Sequence, residues 1–256
     1  MRLWRWLAPN YSAGLLLFAA TFMLGRRLFG VSNAVGALQG LGATFSNVGF
    51  VGLPLVISAY GGEAALPAML IVIGDGVLML GLATAIIEAD QGTGRGGPAL
   101  LLLRAVGYGL LRNPIIVASL LGLALHLSAV TLPASLFAYA GLLADSAGPC
   151  ALFALGATLA SQPIREGAIE TGFLSLMKLV VHPLLVGGAA LFVFHLPPLW
   201  AAVAITQAAL PTGANVYVLA QRYQLHAGPI STAVLVSTTL AVSTVSAVLS
   251  WLYPVG

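Results

Sequence analysis

The chain has 256 residues, 59% hydrophobic and 7% charged, with a formal net charge of +3 and a mean hydropathy of +1.01. Soluble domains carry about 25% charged residues, so a water-facing surface is excluded and lipid must surround most of this chain. One cysteine, Cys150, excludes an intrachain disulfide, and four scattered histidines (His126, His182, His195, His226) without ligand spacing argue against a metal site.

A spanning helix needs roughly 20 predominantly apolar residues, and the long unbroken runs give about eight spans. Span A is 11–28, span B 34–60 and span C 64–88. A loop rich in glycine follows at 89–98, then an amphipathic lead-in at 99–112. Span D is 114–127, span E 133–160 with a kink expected near Gly148-Pro149, span F 168–194, span G 198–223 and span H 230–253. Arg2 and Arg5 precede span A, but that run ends in Arg26-Arg27 without a small-residue cleavage site, so no cleavable leader is expected. Cys150 reads as a small core residue.

Arginines set the orientation. Arg26, Arg27, Arg95, Arg104, Arg112, Arg165 and Arg222 fall in loops on one side of an eight-span chain, while 61–64, 128–132 and 195–198 hold no Lys or Arg. The positive-inside rule puts the arginine side in the cytoplasm. The expected location is the cell membrane, with several passes and the lipid bilayer as the main partner. The small positive charge speaks to loop orientation and gives no sign of a nucleic-acid partner.

Spans B and G resemble each other. Span B holds Asn47-Val-Gly-Phe-Val-Gly-Leu-Pro54, and span G holds Gln207-Ala-Ala-Leu-Pro211-Thr-Gly-Ala-Asn215. Each has Leu-Pro near its middle with glycine and an amide close by. Proline removes a backbone donor and glycine loosens the chain, so both helices are expected to break, near Pro54 and near Pro211. By the loop assignment the two run in opposite senses. Paired interrupted helices in corresponding halves point to a transporter binding site.

At these residues the chain resembles the auxin efflux carrier family, which includes bacterial carriers of the malonate or malate type and plant auxin carriers. Phe45-Ser-Asn47 through Leu53-Pro54-Leu55 is similar to the family's first broken helix. Arg112-Asn113-Pro114 resembles the start of its sixth helix, and Asp145-Ser-Ala-Gly-Pro-Cys-Ala-Leu-Phe153-Ala-Leu-Gly156 its seventh. Gln207-Ala-Ala-Leu-Pro211-Thr-Gly213, with Ala220-Gln-Arg-Tyr223, resembles the second broken helix and its exit, and Ser231-Thr232 begins the last helix in a similar way. The resemblance implies two inverted repeats of five helices, divided into a scaffold part and a transport part. The chain therefore reads as an all-α membrane protein of inverted-repeat transporter fold with two crossing broken helices. Residues 1–90 form an incomplete first repeat, 91–98 a central loop and 99–256 the second repeat. Span A matches the family's third helix, so the first two helices, on the scaffold and homodimer side, are expected to be missing.

The substrate-site candidates are Asn47, Pro54, Gln207, Pro211 and Asn215. Half-helix amino termini aim positive dipole ends into the breaks, which suits a carboxylate, and amide groups donate to it without fixed charge. By the resemblance, Asn47 matches the asparagine beside which the substrate carboxylate sits. The competing reading is that these amides only satisfy carbonyls freed by the prolines. Asp75, Asp145 and Lys178 are candidates for proton or ion coupling, because an intramembrane charge costs about 3 kcal/mol or more and defaults to function; Asp145 also matches a family position. The alternative reading of Lys178 is a side chain that snorkels toward the interface, and His182 reads as structural. No phosphate loop, nucleophile elbow or His-Glu-x-x-His pattern occurs, so neither a cofactor nor an enzyme is expected. The leading function is a secondary carrier of a small organic anion working by elevator-like motion. The alternatives are a sodium-coupled symporter, a sodium–proton antiporter, or a truncated protein that does not transport.

Overall fold

Without water, an apolar backbone must bond to itself. In the computed structural model it does so as helices across the described residues, 4–92, 133–160 and 167–252, with a few isolated positions between 117 and 128. Most of span D and of the central loop lie outside the described residues, and so do Arg95, Arg104, Arg112, Asn113, Pro114, His126 and Arg165.

Helix α1 (Trp4–Phe29) reverses at Gly30 into α2 (Asn33–Thr44). Gly30 has φ +63°, which only glycine adopts without cost. Ser32 caps α2 by accepting the Val35 N–H. The two helices lie close, since a β-carbon on Gly40 would stand 3.0 Å from the Phe18 carbonyl oxygen. Small residues permit such approach between membrane helices.

Helix α3 (Val48–Tyr60) opens on a π turn at Val48–Gly52, and α4 (Gly62–Asp90) contains another at Asp75–Met79. Helix α5 (Ala134–Ala160) stays one helix through Pro149. Helix α6 (Ala168–Val193) contains π turns at Met177–Val181 and Ala189–Val193. The chain continues through α7 (Pro198–Ala209), α8 (Ala214–Arg222) and α9 (Ala227–Leu252).

Among the described residues α4, α6, α9 and the Trp6–Phe29 part of α1 are each long and apolar enough to cross a membrane. The pairs α2–α3 and α7–α8 are interrupted helices. Large apolar side chains point outward, among them Leu16, Leu28, Leu184, Phe192 and Val242, as lipid requires and water forbids. Trp6 stacks against Trp200 with ring centroids 4.6 Å apart; tryptophan favours the membrane–water interface.

Inside, Leu38, Leu41, Met79, Leu174, Val216 and Ile230 form one apolar cluster, and Ile71, Val186, Ala204, Leu210 and Ala241 another. Two expectations need correction. The first interruption is at Phe45–Asn47, not at Pro54, which lies in the first turn of the α-helical segment Leu53–Tyr60. Proline fits a first turn because little is lost with its missing N–H. Cys150 is exposed on α5 rather than packed in a core.

Candidate functional site

The two interruptions meet. Ser46 and Thr212 form an isolated antiparallel β-bridge. The Asn47 N–H donates to the Pro211 carbonyl at 3.0 Å, and the Gly213 N–H donates to the Phe45 carbonyl at 2.9 Å. Two more bonds fasten the crossing. The Thr212 hydroxyl donates to the Gly42 carbonyl at 2.8 Å, and the Thr212 N–H donates to the Ser237 hydroxyl of α9 at 3.2 Å. Backbone groups freed at the two breaks are thus satisfied across the crossing, as buried polar groups require.

Beside the bridge lies a cavity of 40 Å³ bordered by Asn47, Val48, Gly49, Gly76, Ala214 and Asn215. That is room for about one to three waters. Helices α3 and α8 both begin at its wall. The first N–H groups of a helix have no partner within it, so both amino termini turn donors and positive dipole ends towards this space. Asn47 is buried, and its side chain makes no capping bond to the helix it opens. Asn215 borders the same cavity from an exposed position.

The remaining expected residues are placed differently. Pro211 lies in the bridge itself. Pro54 is half-buried and does not border the cavity. Gln207 is 1% exposed, and neither its amide nitrogen nor its oxygen has a partner among the described residues. It packs against Gly52, where a β-carbon would lie 3.7 Å from its Cδ. A buried amide without partners costs about 1–3 kcal/mol, so Gln207 is poised for a polar guest or a water at the crossing.

Asp75 and Lys178 both sit on π turns, a distortion frequent at functional sites. Lys178 does not snorkel. It is fully buried, and its Nζ donates to the Ala208 carbonyl at 2.6 Å and lies 3.1 Å from His182 Nδ1. That carbonyl is freed because the Thr212 N–H, its ordinary partner, goes to Ser237. A cation at a helix carboxyl end is also favoured by the dipole. Asp75 is buried and feels the Lys178 charge, with the Tyr11 hydroxyl beside it. Tyr11 donates to the Ile71 carbonyl at 3.0 Å. His182, read from sequence as structural, is a direct partner of the buried lysine. Asp145 is exposed on α5, with no side-chain hydrogen bond or ion pair to a described residue.

Sequence reasoning missed Thr212, Ser237, Tyr11 and the cluster at the far end of α6. There Glu170 receives the Gln39 amide at 2.7 Å and His226 Nε2 at 2.9 Å. Gln39 fits because Gly25 leaves it a slot, its Oε1 lying 1.9 Å from where a β-carbon would stand. The only available signal for these residues was polarity within apolar runs, which does not reveal partners 131 residues apart.

The chain is similar to known proteins over most of its length. A family model described as "Membrane transport protein" matches residues 98–249. A Rhizobium meliloti (strain 1021) protein named "Putative malonate transporter" is 32% identical over 234 residues, covering 91% of this chain and 72% of the relative. "Auxin efflux carrier component 3a" of Oryza sativa subsp. japonica is 31% identical over 205 residues, 70% of this chain and 32% of the relative. "Auxin efflux carrier component 6" of Arabidopsis thaliana is 36% identical over 141 residues, 53% of this chain and 25% of the relative. The chain thus spans a third or less of these two plant proteins.

Proposed function

Because the chain belongs to the auxin efflux carrier family of membrane transport proteins, we propose that it is a secondary carrier of a small organic anion, a carboxylate, bound where its two interrupted helices cross. The chain is a multi-pass membrane protein of a transporter family, and the finer reading concerns its cargo. One observation carries it: two helix amino termini and the Asn47 amide, which caps neither of them, converge on one cavity. Those groups are donors without formal charge, and a carboxylate supplies the acceptors they lack. Pro211 holds the bridge that fixes both termini, Gln207 waits behind it, and Asn215 borders the cavity from the second half-helix. Pro54 acts at one remove, by stiffening α3. The likeness to a protein named as a malonate transporter makes a short dicarboxylate the first cargo to try.

Residues 1–90 and 99–256 serve as the two inverted repeats, and coupling draws on Asp75 and Lys178, with Asp145 a further acid on α5. The test is uptake of radiolabelled malonate and other short carboxylates by proteoliposomes. Asn47→Ala and Asn215→Ala are expected to abolish or strongly reduce uptake while the protein remains folded. Unchanged uptake in both variants would remove the crossing as the binding site.

A further inference from the structure

The anion cradle has no formal charge of its own, yet its cargo is negative. Uncompensated charge in the middle of a bilayer is expensive. The helices packed around the crossing offer little compensation: α2, α7 and α9 contain no ionisable side chain. Among the described residues the ionisable groups facing this region are Tyr11 from α1, Asp75 from α4, and Lys178 and His182 from α6, while Asp145 of α5, which packs against the start of α3, is exposed. Gly76, next to Asp75, borders the anion cavity, and Ala208, the residue that Lys178 holds, follows Gln207. The charged cluster and the cavity are therefore adjacent but separate.

The two charges of the cluster are held unequally. Lys178 is committed by its short bond to the Ala208 carbonyl, at a helix end that favours a cation. His182 Nδ1 lies within hydrogen-bond distance of the lysine Nζ and can accept from it. Asp75 forms no contact ion pair with a described residue, and its neighbour is the Tyr11 hydroxyl. With both groups ionised the cluster is neutral overall. A proton on Asp75 leaves it with a single positive charge, that of Lys178.

We propose that Asp75 is a proton-carrying site distinct from the anion cradle, and that one proton on its carboxyl accompanies each anion, a dicarboxylate travelling as its singly charged hydrogen form. The deduction rests on the anion-carrier reading above. The proton comes from water on one side, forms an O–H bond on the Asp75 carboxylate while the cradle is occupied, and returns to water on the other side as the anion leaves. Lys178 stays protonated throughout. Loaded with a singly charged anion and a proton, or empty without either, the site has no net charge, so both forms move across the bilayer without a charge penalty. Tyr11, whose own proton goes to the Ile71 carbonyl, can accept from the protonated carboxyl.

The test uses the full chain in proteoliposomes containing a pH-sensitive dye, with malonate as the probe. Malonate entry is expected to acidify the lumen, and an imposed pH gradient is expected to drive uptake. Asp75→Asn mimics the protonated acid, so it is expected to keep malonate–malonate exchange, which needs no empty carrier, and to lose uptake driven by the pH gradient. Asp75→Glu keeps a carboxyl and is expected to keep gradient-driven uptake. Gradient-driven uptake surviving in Asp75→Asn overturns the proposal, whereas a wild type that moves malonate without protons overturns it and leaves the carrier reading standing. If the wild type moves no malonate, the cargo reading fails instead. The proton site is then judged by pH-difference infrared spectra, in which a protonated-carboxyl band must titrate in the wild type and vanish in Asp75→Asn. Absence of that band in the wild type sinks it.

Discussion

Gly213→Ala adds one methyl group at the crossing and removes no polar atom, which makes it a clean probe of how tightly the two interrupted helices meet. Gly213 has φ −69° and ψ 140°, a conformation open to any residue, so the cost of alanine is contact alone. Its β-carbon would lie 2.7 Å and 2.9 Å from two atoms of the Phe45 ring and 3.1 Å from the Ser46 carbonyl oxygen. The ring can tilt, but the carbonyl belongs to the bridge, and the Gly213 N–H is itself bonded to Phe45 at 2.9 Å. Overpacking costs about 1–3 kcal/mol, and stretching two bridge bonds adds about 0.5–1.5 kcal/mol each. Allowing for the ring's movement, a loss of about 2–3 kcal/mol is expected, or about 5–10 °C in melting temperature for a chain of this length. The assay is heating of detergent-purified protein, followed by the fluorescence of its four tryptophans. Gly188→Ala is the control. It lies inside α6 with nothing within 4 Å of its added methyl, so alanine there should be neutral or stabilising by up to about 1 kcal/mol. Equal melting of Gly213→Ala and wild type would refute the close crossing on which the binding site depends.

Lys178→Met should destabilise by about 3 kcal/mol or more, because it strands the buried Asp75 and uncaps the Ala208 carbonyl. Adding Asp75→Asn should recover part of that loss, and a thermal-melting double-mutant cycle showing no coupling would contradict the pairing. Thr212→Val should cost about 1–3 kcal/mol by leaving the Gly42 carbonyl unpaired, while Thr212→Ser melts near wild type. Glu170→Gln removes the charge from a carboxylate that receives Gln39 and His226 and should cost about 1.5–3 kcal/mol; chemical denaturation in mild detergent reads it. Asp145→Asn, at an exposed position without a described partner, should leave melting unchanged.

The sequence made the membrane class legible through bulk composition, because 7% charge leaves no other solvent than lipid. It made the two interrupted helices legible through Leu-Pro, glycine and amide clusters. It did not locate the first break correctly, because proline marks a missing donor, and a missing donor can fall inside a helix's first turn as well as in the gap before it. At Pro211 the gap and the proline coincide; at Pro54 the gap lies upstream, at Phe45–Asn47. Nor could the partner of Lys178 be read, since a carbonyl oxygen has no sequence signature. The Ala208 carbonyl becomes an acceptor only because Thr212 turns its N–H to Ser237, 25 residues further on.

The asymmetry of the crossing follows from the same bonds. Both amino termini at the breaks face the cavity, but the two carboxyl ends are finished differently. The end of α2 is closed by neutral donors, with Thr212 on the Gly42 carbonyl and Gly213 on the Phe45 carbonyl. The end of α7 receives an ammonium, on the Ala208 carbonyl. Two-fold inverted geometry alone would treat both ends alike, so the single lysine is a chemical choice added to the fold. A buried cation needs a counter-charge or it costs several kcal/mol, and Asp75 supplies it from α4. Under the proposed proton site, a proton that neutralises Asp75 leaves the lysine's charge, still on the Ala208 carbonyl, to offset the cargo in the neighbouring cavity. The charge that closes one half-helix is in this way the charge that balances the anion, which ties the integrity of the second broken helix to the protonation state of a residue on a different span.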